Sequence, residues 1–132
     1  MTKNFLKKII AQNQEDLRVI SALCSESKIK QSEIKFLKNN KIFLIYLERQ
    51  NKEKNNDKEK INSILKFEYI ESSKSKNIYQ SQLKITIKLI AIKVFKRQHN
   101  YEIILLFSNN GIITLNAEIM EVTLEDLRQV ND

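Results

Sequence analysis

The stretch from Leu83 to Leu127 reads LKITIKLIAIKVFKRQHNYEIILLFSNNGIITLNAEIMEVTLEDL, and its periodicity decides the fold. Leu83, Ile85, Ile87 and Leu89 alternate with Lys84, Thr86 and Lys88. A period of two marks a strand with one buried and one wet face. After Leu89 the phase changes: Ile90, Ile92 and Val94 become the apolar set, with Lys93 and Lys96 polar. Such a switch means either a bulge that re-aims the strand or cover on both faces. Lys96 to Asn100 is a short polar connection. Tyr101 to Phe107 is apolar at almost every position, as in a central strand. Asn109-Asn110-Gly111 follows, three residues that tolerate the positive φ of a tight hairpin turn. Gly111 is the only glycine in the chain, so it is expected to serve the backbone there rather than a ligand. On the return strand Ile113, Leu115, Ala117 and Ile119 alternate with Thr114, Asn116 and Glu118. Thr123 then stands three residues before Asp126, a capping-box-like start for a short C-terminal helical turn carrying Leu124 and Leu127.

Upstream, Phe5 to Ala11 reads as a first strand. Asn13 is a good N-cap, and Asp16 at the third helical position suits the helix dipole. Leu17, Ile20, Leu23 and Cys24 recur at helical spacing, so Gln14 to Cys24 is expected to be an amphipathic helix on the core. Lys28 to Leu37 and Lys41 to Arg49 read as a hairpin turning at Asn39-Asn40. In its second strand Phe43, Ile45 and Leu47 share one face and Ile42, Leu44 and Tyr46 the other, so both faces are expected to be covered. Gln50 to Lys60, QNKEKNNDKEK, has no apolar residue and mixes both charge signs, the mark of a mobile solvated loop. Ile61 to Glu71 resumes the strand pattern, and Ser72 to Gln82 is polar and irregular, anchored by Ile78 and Tyr79.

The implied order is β-α-β-β-β-β-β-β and a helical turn. Short connections make the sheet mainly antiparallel. An α+β fold follows: a strongly bent sheet or partly open barrel of six to seven strands, with one N-terminal amphipathic helix. At 132 residues the chain is expected to be a single domain (1–132) able to bury a core unaided. No apolar run approaches the roughly 20 residues that span a bilayer, so no membrane partner is expected. A single cysteine excludes an internal disulfide and suits a reducing compartment. The chain therefore reads as cytoplasmic.

The net charge of +7 invites a nucleic-acid reading. The composition argues against taking it at face value. Lysine, isoleucine and asparagine abound, there is no proline or tryptophan, and A,T-rich codons favour that set. Arginine, the better bidentate phosphate ligand, occurs only as Arg18, Arg49, Arg97 and Arg128.

One glycine cannot build a phosphate loop, a dinucleotide fingerprint or a nucleophile elbow. One His and one Cys cannot make a zinc site, so neither metal nor cofactor is expected. Cys24 reads as a buried inert thiol, because a reactive one needs a nearby base and the only histidine is His99. Carboxylates cluster at Glu118, Glu121, Glu125 and Asp126, most simply as a wet strand face running into a cap. Lys84, Lys88, Lys93, Lys96 and Arg97 are the basic set with the best geometry for single-stranded nucleic acid. The aromatics that would stack bases (Phe67, Phe95, Tyr101, Phe107) fall mostly on apolar positions.

Three segments taken together, IIAQNQEDLRVISALC, IKLIAIKVF and LLFSNNGIITLNAEIMEVTLEDL, resemble the small alphaproteobacterial family catalogued as domain of unknown function 2948. The resemblance runs from about Phe5 to Leu127. Glu15, Asp16, Leu17, Ile20 and Ser21 carry it in the helix, and Leu89, Ala91 and Ile92 in the strand. Phe107, Gly111, Ile113, Leu115, Glu118, Glu121, Leu124, Asp126 and Leu127 carry it at the end. The Lys/Asn-rich loops depart from the family pattern. The family has no established activity, so the resemblance implies a bacterial cytoplasmic protein and no active-site residues. Glu15, Asp16 and Asp126 have capping roles to explain them. Glu118 and Glu121 do not, which makes them a candidate functional surface.

Three functional readings follow. The first is a non-enzymatic module that binds a protein partner through a sheet face or strand edge. The second is a nucleic-acid-binding protein using Lys84, Lys88, Lys93, Lys96 and Arg97. The third is an enzyme with a carboxylate site around Glu118 and Glu121.

Overall fold

The computed structural model describes residues 6–50, 59–79 and 85–131, the last four of these by their backbone only. Phe5, Leu83, Lys84 and most of the charged 50–60 loop lie outside the described residues. The helix α1 (Gln14–Cys24) forms where its local signals place it. The Asn13 side chain accepts from the Asp16 N–H at 2.8 Å, and its amide donates to the Asp16 carboxylate at 3.1 Å. The first contact satisfies a backbone N–H that a helix start leaves orphaned, and the second holds the two side chains together. Leu17, Ile20 and Cys24 form its buried stripe.

Among the described residues ten strands make one antiparallel sheet: β1 (Lys8–Ala11), β2 (Lys28–Lys30), β3 (Ile34–Leu37), β4 (Ile42–Gln50), β5 (Glu59–Phe67), β6 (Ile70–Lys76), β7 (Thr86–Lys96), β8 (Tyr101–Phe107), β9 (Ile112–Ala117) and β10 (Val122–Asn131). Their spatial order is β1-β10-β5-β4-β2-β7-β8-β9-β6, with β3 beside β4. The sheet is bent and open rather than closed, and its concave side encloses the core. Phe43, Ile45, Leu65, Phe67, Leu105 and Leu115 meet there, with Leu17 and Ile20 of α1. Phe43 and Phe67 pack edge to face at 6.1 Å.

The strand count exceeds the expected six to seven because two expected strands are each split and the expected C-terminal turn is itself a strand. Lys28 to Leu37 is interrupted by a 3-10 turn at Gln31–Glu33. That turn lets β2 reach across to β7 while β3 stays on β4. Ile61 to Glu71 breaks at Tyr69, whose φ is 60°. An aromatic residue rarely adopts that conformation, and here it turns β5 in one half of the sheet into β6 in the other. Ser72 to Gln82 is not wholly irregular, since β6 runs to Lys76 and pairs with β9. Ile78 does pack on the core, and the Tyr79 N–H donates to the buried Gln31 side chain.

The expected C-terminal helical turn is a strand. Thr123 and Asp126 have cap spacing, but Val122, Leu124 and Asp126 also alternate at period two, and the vacant slot between β1 and β5 offers ladder bonds on both edges. Tertiary pairing overrides a weak local helix signal. Asp126 therefore caps nothing and points inward.

The Leu89 phase change is a bulge. The β7–β8 register shifts between Leu89 and Ala91, which leaves Ile90 exposed and returns Ile92 and Val94 to the inner side. The hairpin turn after Phe107 differs in one detail. Asn109 and Asn110 take the positive φ values, 60° and 61°, and Gly111 does not. Finally, only one face of β4 is buried. Ile42, Leu44 and Tyr46 on the convex side are half-buried, and the Lys35 ammonium lies over the Tyr46 ring at 5.7 Å.

Candidate interaction site

Glu118 and Glu121 lie in the β9–β10 connection, where the chain crosses between the two halves of the sheet. The Glu118 N–H donates to the Tyr69 carbonyl at 2.9 Å, and the Glu68 N–H donates to the Glu121 carbonyl at 3.0 Å. The bend is thus closed by two backbone bonds between the crossing segments. The Glu121 carboxylate accepts from the Gln12 amide at 2.8 Å and faces Glu68. The hydrogen bonds from Gln12 and with Glu68 hold Glu121 below the usual range, while the contact with Glu121 and partial burial push Glu68 up. Glu118 is exposed, and it lines neither of the grooves described next.

The basic set does not gather into one patch. Lys88 sits on the lower part of β7 beside Lys28, its cross-strand partner, and pairs with Glu26 at 3.8 Å. Lys93 and Lys96 stand beyond the bulge. Arg97 binds Glu102 at 2.6 Å and covers the Phe95 ring. His99 is exposed in the β7–β8 connection. Lys84 lies outside the described residues.

Two concave regions stand out. The first, about 770 Å³, lies on the sheet over β2, β4 and β5. Tyr46, Asn62 and Thr86 contribute to it, and Lys28 and Lys30 are matched there by Glu33 and Glu48. Ser63, also at this groove, links it to a buried charge cluster. The Ser63 hydroxyl donates to Asp126 Oδ1 at 2.6 Å, and Arg49 grips the same carboxylate from within. By sequence an arginine on alternation with Phe43, Ile45 and Leu47 looks like the end of a strand, so Arg49 does not stand out as a buried charge. Its place on the apolar face was the available signal.

The second groove, about 350 Å³, runs between α1 and β7. Gln14, Leu17, Arg18 and Ser21 recur at i, i+3, i+4 and i+7 and form its helical wall, while Ala91 to Phe95 form the other. Arg18 and Lys93 are its charged residues. The Ser21 hydroxyl accepts the Ile92 N–H at 3.0 Å and ties the two walls together at one end. The groove lies beyond the bulge at Ile90, where β7 runs on past the end of β2.

Among the described residues no helix is long and apolar enough to cross a membrane. No curated protein matches the chain. A crystal structure of an uncharacterized protein from Neisseria gonorrhoeae is similar at 18% identity, with a TM-score of 0.43 over 90% of this chain and 97% of that one. A family model described as "Protein of unknown function (DUF2948)" matches residues 7–132. That match spans α1, all ten strands and both grooves, and the chain belongs to this family.

Proposed function

We propose that this protein is a non-enzymatic interaction module that engages a protein partner through its open sheet. The observation that carries this reading is the outer edge of β7 at Val94, which meets no hydrogen-bond partner among the described residues and lies in the groove beside α1. Exposed strand edges are natural sites for a partner's backbone. The convex face around Ile42, Leu44, Tyr46 and Ile64 adds half-buried apolar surface. A tagged pull-down from native cells, run with and without nuclease and read by mass spectrometry, tests it. A stoichiometric protein that survives nuclease is the expected result. Recovery of nothing but nuclease-sensitive ribosomal or nucleoid proteins would overturn it.

One observation favours nucleic acid as a second reading. Lys28 and Lys88 are adjacent across strands, and Lys30 follows on the same side. Glu26, Glu33 and Glu48 stand among them, which weakens the field a phosphate backbone would meet. This reading expects binding that falls steeply with salt. Salt-insensitive or absent binding to a labelled oligonucleotide removes it.

A further inference from the structure

The outer edge of β7 is filled in order and then stops being filled. Thr86 to Lys88 pair with β2. Leu89 accepts from the Glu26 N–H at 2.8 Å and donates to the Ser27 carbonyl at 3.0 Å. The Ile92 N–H donates to the Ser21 hydroxyl. Because that N–H points away from β8, Ile92 and Leu105 are a non-hydrogen-bonded pair of the ladder. By alternation Val94–Ile103 and Lys96–Tyr101 are too. The N–H and C=O of Val94 therefore also point away from β8, into the side that α1 flanks. No group among the described residues meets them.

We infer that this groove takes an extended acidic segment of a partner protein, added as a further strand on β7 from Ile92 to Lys96. The inference rests on the interaction reading above and names its contact. Three features select the occupant. Free backbone donors and acceptors in strand geometry call for another peptide backbone, which a nucleic acid lacks. Among the described residues Arg18 and Lys93 are the charged ones lining the groove and no carboxylate does, so the segment carries Asp or Glu. Side chains on an added strand alternate. Those on the inner side meet Leu17 and Val94 and are apolar, and those on the outer side meet Lys93 and are acidic. About five residues suffice to run the length of this edge.

The test pans a random-peptide display library on the full-length protein and measures the enriched peptides by fluorescence anisotropy. Val94→Pro removes the edge donor. It leaves the β7–β8 ladder intact, since that N–H is not part of it, and proline is tolerated on such an edge. A double variant, Arg18→Glu with Lys93→Glu, changes two exposed side chains and leaves the fold in place if Val94→Pro does not. Enriched peptides are expected to alternate acidic and apolar residues, and either variant should weaken them by about tenfold or more. On binding, the Val94 and Lys96 amides should gain protection from hydrogen exchange. Failure to enrich any peptide, or enriched peptides indifferent to both variants, would overturn the inference. A cellular partner that ignores both variants would sink the β7 edge and leave the interaction reading standing. Absence of any protein partner would sink both. Oligonucleotide binding that Lys93→Glu weakens and Val94→Pro does not would move the groove to the electrostatic reading.

Discussion

Arg49 and Asp126 form a two-pronged ion pair with both side chains fully shielded from solvent: Nε donates to Oδ1 at 3.0 Å and Nη2 to Oδ2 at 2.8 Å. The Ser63 hydroxyl and the Lys7 N–H complete the carboxylate's shell. Residues from β4, β5, β10 and the segment leading into β1 thus meet at one carboxyl group. Planar bidentate geometry is what makes arginine the tolerable buried cation. Removing one partner leaves the other charge buried alone. Asp126→Asn is expected to cost about 3–5 kcal/mol, read as a lower urea midpoint. Arg49→Met with Asp126→Leu should recover much of that loss, because a buried pair is often replaceable by apolar residues. A single-variant cost below about 1 kcal/mol would place this pair with surface ion pairs instead.

The same site sets an acid limit. Burial alone would raise the Asp126 pKa, but the Arg49, Ser63 and Lys7 hydrogen bonds outweigh it and hold the group below the usual value. The folded protein then binds fewer protons here than the unfolded chain. The stabilisation is complete above the ordinary Asp value of about 3.9 and is lost as pH falls through the lower folded one. The gap between wild type and Asp126→Asn should therefore be constant near neutrality and shrink below about pH 4. Urea midpoints across an acid series measure it, and a gap that widens on acidification contradicts the assignment.

Glu68 runs the other way at the bend, where it faces Glu121. The Glu121 contact raises Glu68, so Glu68 contributes most below the ordinary Glu value and loses that contribution as pH rises through its higher folded one. Glu68→Gln supplies a donor at every pH. The variant should be more stable than wild type at neutral pH and match it where Glu68 is already protonated. Thermal melts at the two pH values decide this, and an unchanged neutral melting temperature speaks against this contact.

What the sequence disclosed depends on the range of the interaction. The α1 cap is a contact between Asn13 and Asp16, three residues apart, and it was legible at once. Strand alternation and the bulge near Ile90 were legible too, since each is a phase written within a few residues. Asp126 was misread because its partner Arg49 is 77 positions away, and the local cap spacing was the nearer signal. The break at Tyr69 left no mark, because neither glycine nor asparagine stands there. Both grooves depend on where β2 stops along β7, a matter of strand order that no local pattern encodes. The lysine set looked like one face, yet the bulge and ion pairs with Glu26 and Glu102 divide it.

Gly111 separates two reasons for needing glycine. Its φ is not positive, so freedom of backbone rotation is not what it supplies. A Cβ at this position would lie 2.7 Å from Ile78 Cδ1 and 3.2 Å from Phe107 Cβ. The need is for space, at the point where Ile78 closes over the β8–β9 hairpin. Gly111→Ala should then destabilise by about 1–3 kcal/mol through overpacking. The nearer contact is the tip of a flexible side chain, so Ile78→Val in the same chain should return part of the loss. A backbone requirement would not respond to Ile78 at all. Asn110, at φ 61°, is the converse case. Asn110→Gly should be neutral or stabilising by up to about 1 kcal/mol, because the second central position of such a turn favours glycine. Urea denaturation of these variants reads both expectations together. Full retention of the Gly111→Ala penalty in the Ile78→Val background would show that the strain lies in the backbone after all.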